Sequence, residues 1–109
     1  MKAANEMTLA ELLANRTEAQ FQGHVIRSAR GVGWDLVYHT KLSIGSAKGF
    51  PDLVLVRFRD KRVVYMELKG LKTAIGPEQQ RWIDGLVACG QEAYIFRPCD
   101  EEKVQEVLR

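Results

Sequence analysis

The chain has 109 residues, 46% of them hydrophobic and 28% charged, with a formal net charge of +2. That length builds one modest core and leaves no room for a second domain of any size. No apolar stretch approaches the roughly 18 residues that span a bilayer, the opening Met1-Lys2-Ala3-Ala4-Asn5-Glu6 lacks a signal-peptide apolar region, and so slight a charge does not announce a nucleic-acid partner, so a cytoplasmic, membrane-free chain is expected.

Residues 1–16 read as an extension holding a short helix, Thr8 to Ala14, striped by Leu9, Leu12 and Leu13. Such an element covers its own domain or, in the preferred reading, clasps a second subunit. The domain proper, 17–109, opens at Thr17, an N-cap with Gln20 in capping-box position. Phe21, Val25, Ile26 and Ala29 then form one apolar stripe, and the helix ends near Gly31. Glu18 lies in its first turn, either directed toward the end of a sheet or complementing the helix dipole. His24 is expected at the helix boundary.

Leu36 to Thr40 is the first expected strand. His39 faces the same way as Val37, which makes it a phosphate contact or, preferably, a hydrogen-bonded structural histidine. Lys41 and Lys48 flank the loop Ser43-Ile44-Gly45-Ser46-Ala47, whose small residues allow close approach of a DNA backbone or serve as a plain connection.

Leu53 to Val56 and Val63 to Met66 are β-branched and apolar runs separated by the charged stretch Arg57 to Arg62, the pattern of a β-hairpin turning near Arg59-Asp60-Lys61. Paired positions then sum to about 119 or 120, which sets Asp52 opposite Glu67 or Leu68. No Asn-Gly or Asp-Gly pair fixes the turn, so the choice stays open at this level. Strand alternation puts Glu67 and Lys69 on one side. Two carboxylates and an amine at one end of a hairpin suit phosphodiester hydrolysis. A hard cation such as Mg²⁺ takes oxygen ligands and retains waters, so Asp52, Glu67 and the Leu68 carbonyl suffice as anchors. Lys69 then orients a water or offsets charge on the phosphate. The plainer alternative makes Asp52 a turn residue and Glu67 and Lys69 solvent-facing strand positions.

Gly76-Pro77 starts a second helix, with Trp82, Ile83, Leu86 and Val87 as its expected buried face and Gly90 as its stop. Gln79 lies in its first turn. Ala93 to Phe96 is a fourth strand, parallel to the third because a helix intervenes. Asp100 to Leu108 closes the chain as an amphipathic helix with Val104, Val107 and Leu108 inward. Cys89 and Cys99 lack metal-ligand spacing and are expected as free thiols. The basic residues Lys41, Lys48, Arg57, Arg59, Lys61, Arg62, Lys69 and Lys72 crowd the middle of the chain, which suits a polyanion as well as it suits a solvated surface.

The stretch from Thr17 to Pro98 resembles the virus-type replication-repair nuclease family, VRR-NUC, within the PD-(D/E)XK nucleases. The matching residues are Thr17-Glu18-Ala19, Lys48-Gly49-Phe50-Pro51-Asp52-Leu53, Glu67-Leu68-Lys69, Pro77-Glu78-Gln79 with Trp82, and Gly90 before Ala93-Tyr94-Ile95-Phe96-Arg97-Pro98. The resemblance implies an α/β, restriction-endonuclease-like core: a mixed four-stranded sheet flanked by helices in the order α-β-β-β-α-β-α. It implies that Glu18 (directly or through a water), Asp52 and Glu67 serve a metal site for Mg²⁺ or Mn²⁺, that Lys69 is catalytic, and that Gln79 supports the site. Its short form is similar to the stand-alone bacteriophage proteins, implying a homodimeric DNA nuclease preferring branched structures such as Holliday junctions. The residues put forward for DNA contact are His39, Lys41, Ser46, Lys48 and Lys72. The alternatives are a general or restriction-like nuclease acting on linear DNA, and a DNA-binding module that does not cut.

Overall fold

The computed structural model describes residues 3, 6–41 and 47–109. Ser46, one of the expected DNA contacts, lies outside the described residues. The hairpin forms as the β-branched runs dictate: β2, Leu53–Arg57, pairs antiparallel with β3, Arg62–Leu68, in a register that places Leu53 opposite Met66 and Arg57 opposite Arg62. Paired positions sum to 119, which resolves the open choice in favour of Asp52 opposite Glu67. Lys61 completes the turn at φ 56, a left-handed conformation uncommon for lysine. The first strand, β1 (Leu36–His39), lies antiparallel on β2, and β4 (Glu92–Phe96) lies parallel on β3. The sheet order is therefore β1-β2-β3-β4, mixed as expected.

Alternation divides this sheet into two faces. One carries Leu53, Leu55, Val64, Met66, Leu68 and Phe96, all buried against Phe21, Val25 and Ala29 of α2 (Glu18–Gly31) and Val104 and Leu108 of α4 (Glu101–Leu108). Each such fully buried side chain contributes about 1.5–3 kcal/mol. At its rim Arg57, 2% exposed, lies 4.5 Å from the Trp34 ring centroid. Its Nη1 and the Trp34 Nε1 both donate to the Leu108 carbonyl, which fastens α4 to the hairpin. The other face carries Val54, Val56, Val63, Tyr65 and Glu67 and is met by α3 (Pro77–Ala88).

α3 corrects the expected packing. Ile83 alone among its described side chains is buried; Leu86 is half-buried, whereas Trp82 and Val87 are exposed. The helix meets only part of the sheet, so a narrower stripe reaches the core than the apolar residues suggest. Gly90, at φ 80, stops it as expected. The N-terminal helix, α1 (Leu9–Ala14), buries no residue, and Leu9 and Leu12 are exposed. It rests against the short turn of 3₁₀ helix Pro98–Asp100, and the chain just after it is tied down by Arg16 Nη2 donating to Glu101 at 2.9 Å. Among the described residues no helix is long and apolar enough to cross a membrane. Cys89 and Cys99 are free and exposed.

Candidate active site

β2 begins where β3 ends, so the 119 register carries on past the first pair to set Asp52 against Glu67 on the α3 side of the sheet. The Pro51-Asp52 backbone is pinned from β1: Thr40 donates its N–H to the Asp52 carbonyl at 2.8 Å and its hydroxyl to the Pro51 carbonyl at 2.7 Å. Asp52 Oδ2 accepts the Leu68 N–H at 2.7 Å, which joins the two strands at their open end.

Glu67 is 1% exposed, a position carboxylates occupy only when something offsets their charge. Burial is the main cause of its raised pKa, about 8, and the hydrogen bond and negative charge of neighbouring Asp52 push the same way. Lys69 opposes this and Glu18 adds to it, so all four charged groups act within one electrostatic neighbourhood. Glu67 Oε2 is buried with no hydrogen-bond partner among the described residues. Buried carboxylate oxygens are normally satisfied, so this one can take a partner that the described residues do not supply.

The remaining predicted residues are placed unevenly. Glu18, in the first turn of α2, reaches the far side of Lys69, where its Oε1 accepts the Gly70 N–H at 3.0 Å. Gln79 turns its Oε1 to the Gly76 N–H at 2.8 Å, closing the start of α3, so its amide oxygen serves the helix cap and not the carboxylates. His39 pairs with Leu53 and shares its face, opposite to Asp52, which removes the geometric reason for expecting it on a phosphate. Lys41, Lys48 and Lys72 are exposed. Lys41 follows the Thr40 clamp, Lys48 precedes Asp52 by four residues and Lys72 follows Lys69 by three.

Three contributions escaped the sequence reading. Gly49, at φ 82, brings its backbone so close to α3 that a Cβ there would lie 2.5 Å from the Glu78 carbonyl carbon. Trp82 Nε1 donates to the Lys48 carbonyl at 3.2 Å, and its ring meets Phe50 edge-on at 5.1 Å. The exposed tryptophan thus holds the segment entering Asp52. Arg97, on leaving β4, donates from Nη1 to the Gly70 carbonyl at 2.6 Å and the Thr73 carbonyl at 2.8 Å. The glycine ahead of Phe-Pro-Asp was a legible signal for the first; no local spacing marks the other two.

Among the described residues no group of three His, Cys, Asp or Glu side chains is gathered as a cation cage. The donor set fits instead a hard divalent cation held by two carboxylates, Asp52 and Glu67, with the Leu68 carbonyl as a third oxygen, because Mg²⁺ retains much of its water. The orphaned Glu67 oxygen and the mutual repulsion of the pair are what such a cation would relieve. Asp52 and Lys69 are half-buried around the buried Glu67. Concavities of about 530 Å³ beside Arg81, Trp82 and Cys89, and of about 740 Å³ between α1 and residues 98–103, contain none of the carboxylates or Lys69.

Comparison with known proteins agrees with the fold. The profile of the VRR-NUC domain matches residues 9–98, which takes in the whole of α1 as well as the sheet. A solved structure described as a VRR_NUC domain protein superposes with a TM-score of 0.67 over 85% of this chain and 85% of that one, at 21% identity. No curated protein matches the sequence.

Proposed function

The chain belongs to the VRR-NUC domain family, nucleases of the PD-(D/E)XK type, and from that premise we propose that it is a DNA endonuclease dependent on Mg²⁺ or Mn²⁺ and selective for branched DNA such as four-way junctions. The observation that carries the metal dependence is the pairing of buried Glu67, one oxygen unpartnered, with Asp52 beside Lys69. Asp52 and Glu67, with the Leu68 carbonyl, hold the cation. Bound there, a divalent metal supplies Lewis-acid polarisation of the phosphate and a water of lowered pKa.

The chain's own groups do the rest. The Leu68 N–H fixes the Asp52 carboxylate, so one of its oxygens stays directed while the other is left for the cation. Lys69 orients the attacking water and offsets charge developing on the phosphate. Glu18 acts from the far side by holding the backbone after Lys69, which leaves a metal contact to its second oxygen or to a bridging water. Exposed Lys41, Lys48 and Lys72 take the DNA backbone, a contact that weakens as salt rises. Symmetric incision of a junction calls for two such sites, so a homodimer is part of the proposal.

The test is cleavage of four-way junction, flap, single-stranded and linear duplex DNA by wild type and Lys69→Ala, in Mg²⁺, Mn²⁺ or EDTA. Metal-dependent cutting that the substitution abolishes is expected. Cutting in EDTA, or a fully active variant, overturns the mechanism. Equal rates on junction and linear duplex overturn the branched-DNA selectivity alone, and a sedimenting monomer overturns the dimer.

A further inference from the structure

The backbone around Lys69 is held at each successive peptide by a different part of the chain. Leu68 N–H donates to Asp52 at 2.7 Å, Lys69 N–H to the Phe96 carbonyl at 3.0 Å, and Gly70 N–H to Glu18 at 3.0 Å. The Gly70 carbonyl then accepts from Arg97 Nη1, whose other acceptors are the carbonyls of Leu71 at 3.4 Å and Thr73 at 2.8 Å. The Thr73 N–H also returns to the Gly70 carbonyl at 3.3 Å. One guanidinium nitrogen therefore gathers three carbonyls of a single loop. Arginine suits this because its donors are numerous, planar and always charged, and charge-assisted bonds are about twice as strong as neutral ones.

Arg97 is itself placed with care. It follows β4, whose parallel pairing with β3 brings Phe96 beside Leu68, and its own N–H is fixed by Asp100 Oδ2 at 2.8 Å. Gly70 lies close against the loop it opens: a Cβ there would lie 2.8 Å from the Thr73 hydroxyl oxygen, which would have to turn aside. The residues it fixes, Leu71 to Thr73, are otherwise exposed. Without the arginine, the contacts that remain to Gly70–Thr73 among the described residues are the Glu18 bond and the loop's own turn.

We propose that Arg97 is a positioning residue for Lys69: by clamping the Gly70–Thr73 carbonyls it fixes the direction in which the Lys69 amine meets the Asp52–Glu67 pair. The proposal rests on the nuclease reading, and it concerns orientation and not binding. A misplacement of about 1 Å in a catalytic group is worth as much as a hundredfold in rate. Arg97→Met should accordingly lower kcat for metal-dependent DNA cleavage by at least about tenfold while leaving KM for DNA within about twofold of wild type. Arg97→Lys, which keeps the charge and up to three donors, should recover part of the loss.

The experiment pairs those kinetics with amide hydrogen exchange across 69–73 and the NMR chemical shift of the Lys69 amine group at one fixed pH, both on the full chain without metal. Faster exchange confined to this loop, a displaced Lys69 amine signal and a kcat effect with unchanged KM are expected in Arg97→Met. Wild-type kcat in Arg97→Met, or a loss carried wholly by KM, overturns the clamp. A wild-type protein that cuts no DNA overturns the nuclease reading instead, and the clamp is then judged by the Lys69 signal: an unchanged signal in Arg97→Met overturns it. Global unfolding is separated by Arg97→Lys, which must fold and show an intermediate amine signal; a wild-type signal paired with Arg97→Met-like kinetics would also overturn the proposal.

Discussion

Replacing Glu67 with glutamine should make the metal-free protein more stable at alkaline pH. The carboxyl ionises near 4.5 in an ordinary setting and at about 8 where burial and Asp52 oppose its charge. Below 4.5 it is protonated in folded and unfolded chains alike and makes no difference. Between 4.5 and 8 the unfolded chain releases the proton while the folded chain retains it, so stability falls as pH rises through that window and levels off above it. At about 1.4 kcal/mol per tenfold step in proton affinity, the full loss is on the order of 5 kcal/mol, part of it contributed by the Asp52 charge. Glutamine keeps the shape, bonds Asp52 without ionising, and escapes the loss. Urea unfolding in EDTA, followed by tryptophan fluorescence, should show the two proteins within about 1 kcal/mol at pH 5 and the variant ahead by more than about 1 M in midpoint at pH 8.5. Adding Mn²⁺ at pH 8.5 should raise the wild-type midpoint and leave the variant nearly unmoved. A gap of equal size at both pH values, or a wild type that gains on the variant as pH rises, would refute the reasoning.

Gly49→Ala combines a left-handed φ with a Cβ 2.5 Å from the α3 backbone. It should destabilise the fold by about 2–3 kcal/mol and depress cleavage beyond what its melting temperature explains. Trp82→Phe keeps the ring against Phe50 but loses the donor to the Lys48 carbonyl, and should cost about 1 kcal/mol in urea unfolding together with faster amide exchange at residues 47–50. Arg57→Ala strips the Leu108 carbonyl of one of its two donors and opens the rim beside Trp34; about 2–4 kcal/mol of lost stability, with a shifted Trp34 emission, is expected.

The hairpin was legible because β-branched runs and a charged turn leave few alternatives, but its register stayed open by one residue, because no Asn-Gly or Asp-Gly pair fixes the turn, until the strand pairing closed it at 119. The parallel fourth strand followed from the intervening helix. What periodicity could not give was breadth of contact: α3 presents Trp82 and Val87 as if for burial, yet Trp82 goes to Phe50 and the Lys48 carbonyl and Val87 stays exposed. Nor could it say where a side chain's hydrogen bond ends. Gln79 and Glu18 sit in first turns as expected, but their partners, Gly76 and Gly70, were settled by chain geometry three and 52 residues away. His39 was assigned by proximity in sequence to the loop, whereas strand alternation sends it to the far face. Arg97 was quoted in a matching string without a role, because carbonyl acceptors carry no residue identity.

The link from the Lys69 amide to the Phe96 carbonyl has a consequence for synthesis. A growing chain contains Asp52, Glu67 and Lys69 well before it reaches residue 96, yet until then the lysine's backbone has no β4 to lie against and Gly70 has no arginine. Contacts spanning many residues form late, after the local hairpin. The strand that holds the lysine's backbone is therefore made after all three of those residues, so a polypeptide halted before residue 96 has the two acids and the amine without the β4 contact that lines up the Lys69 backbone.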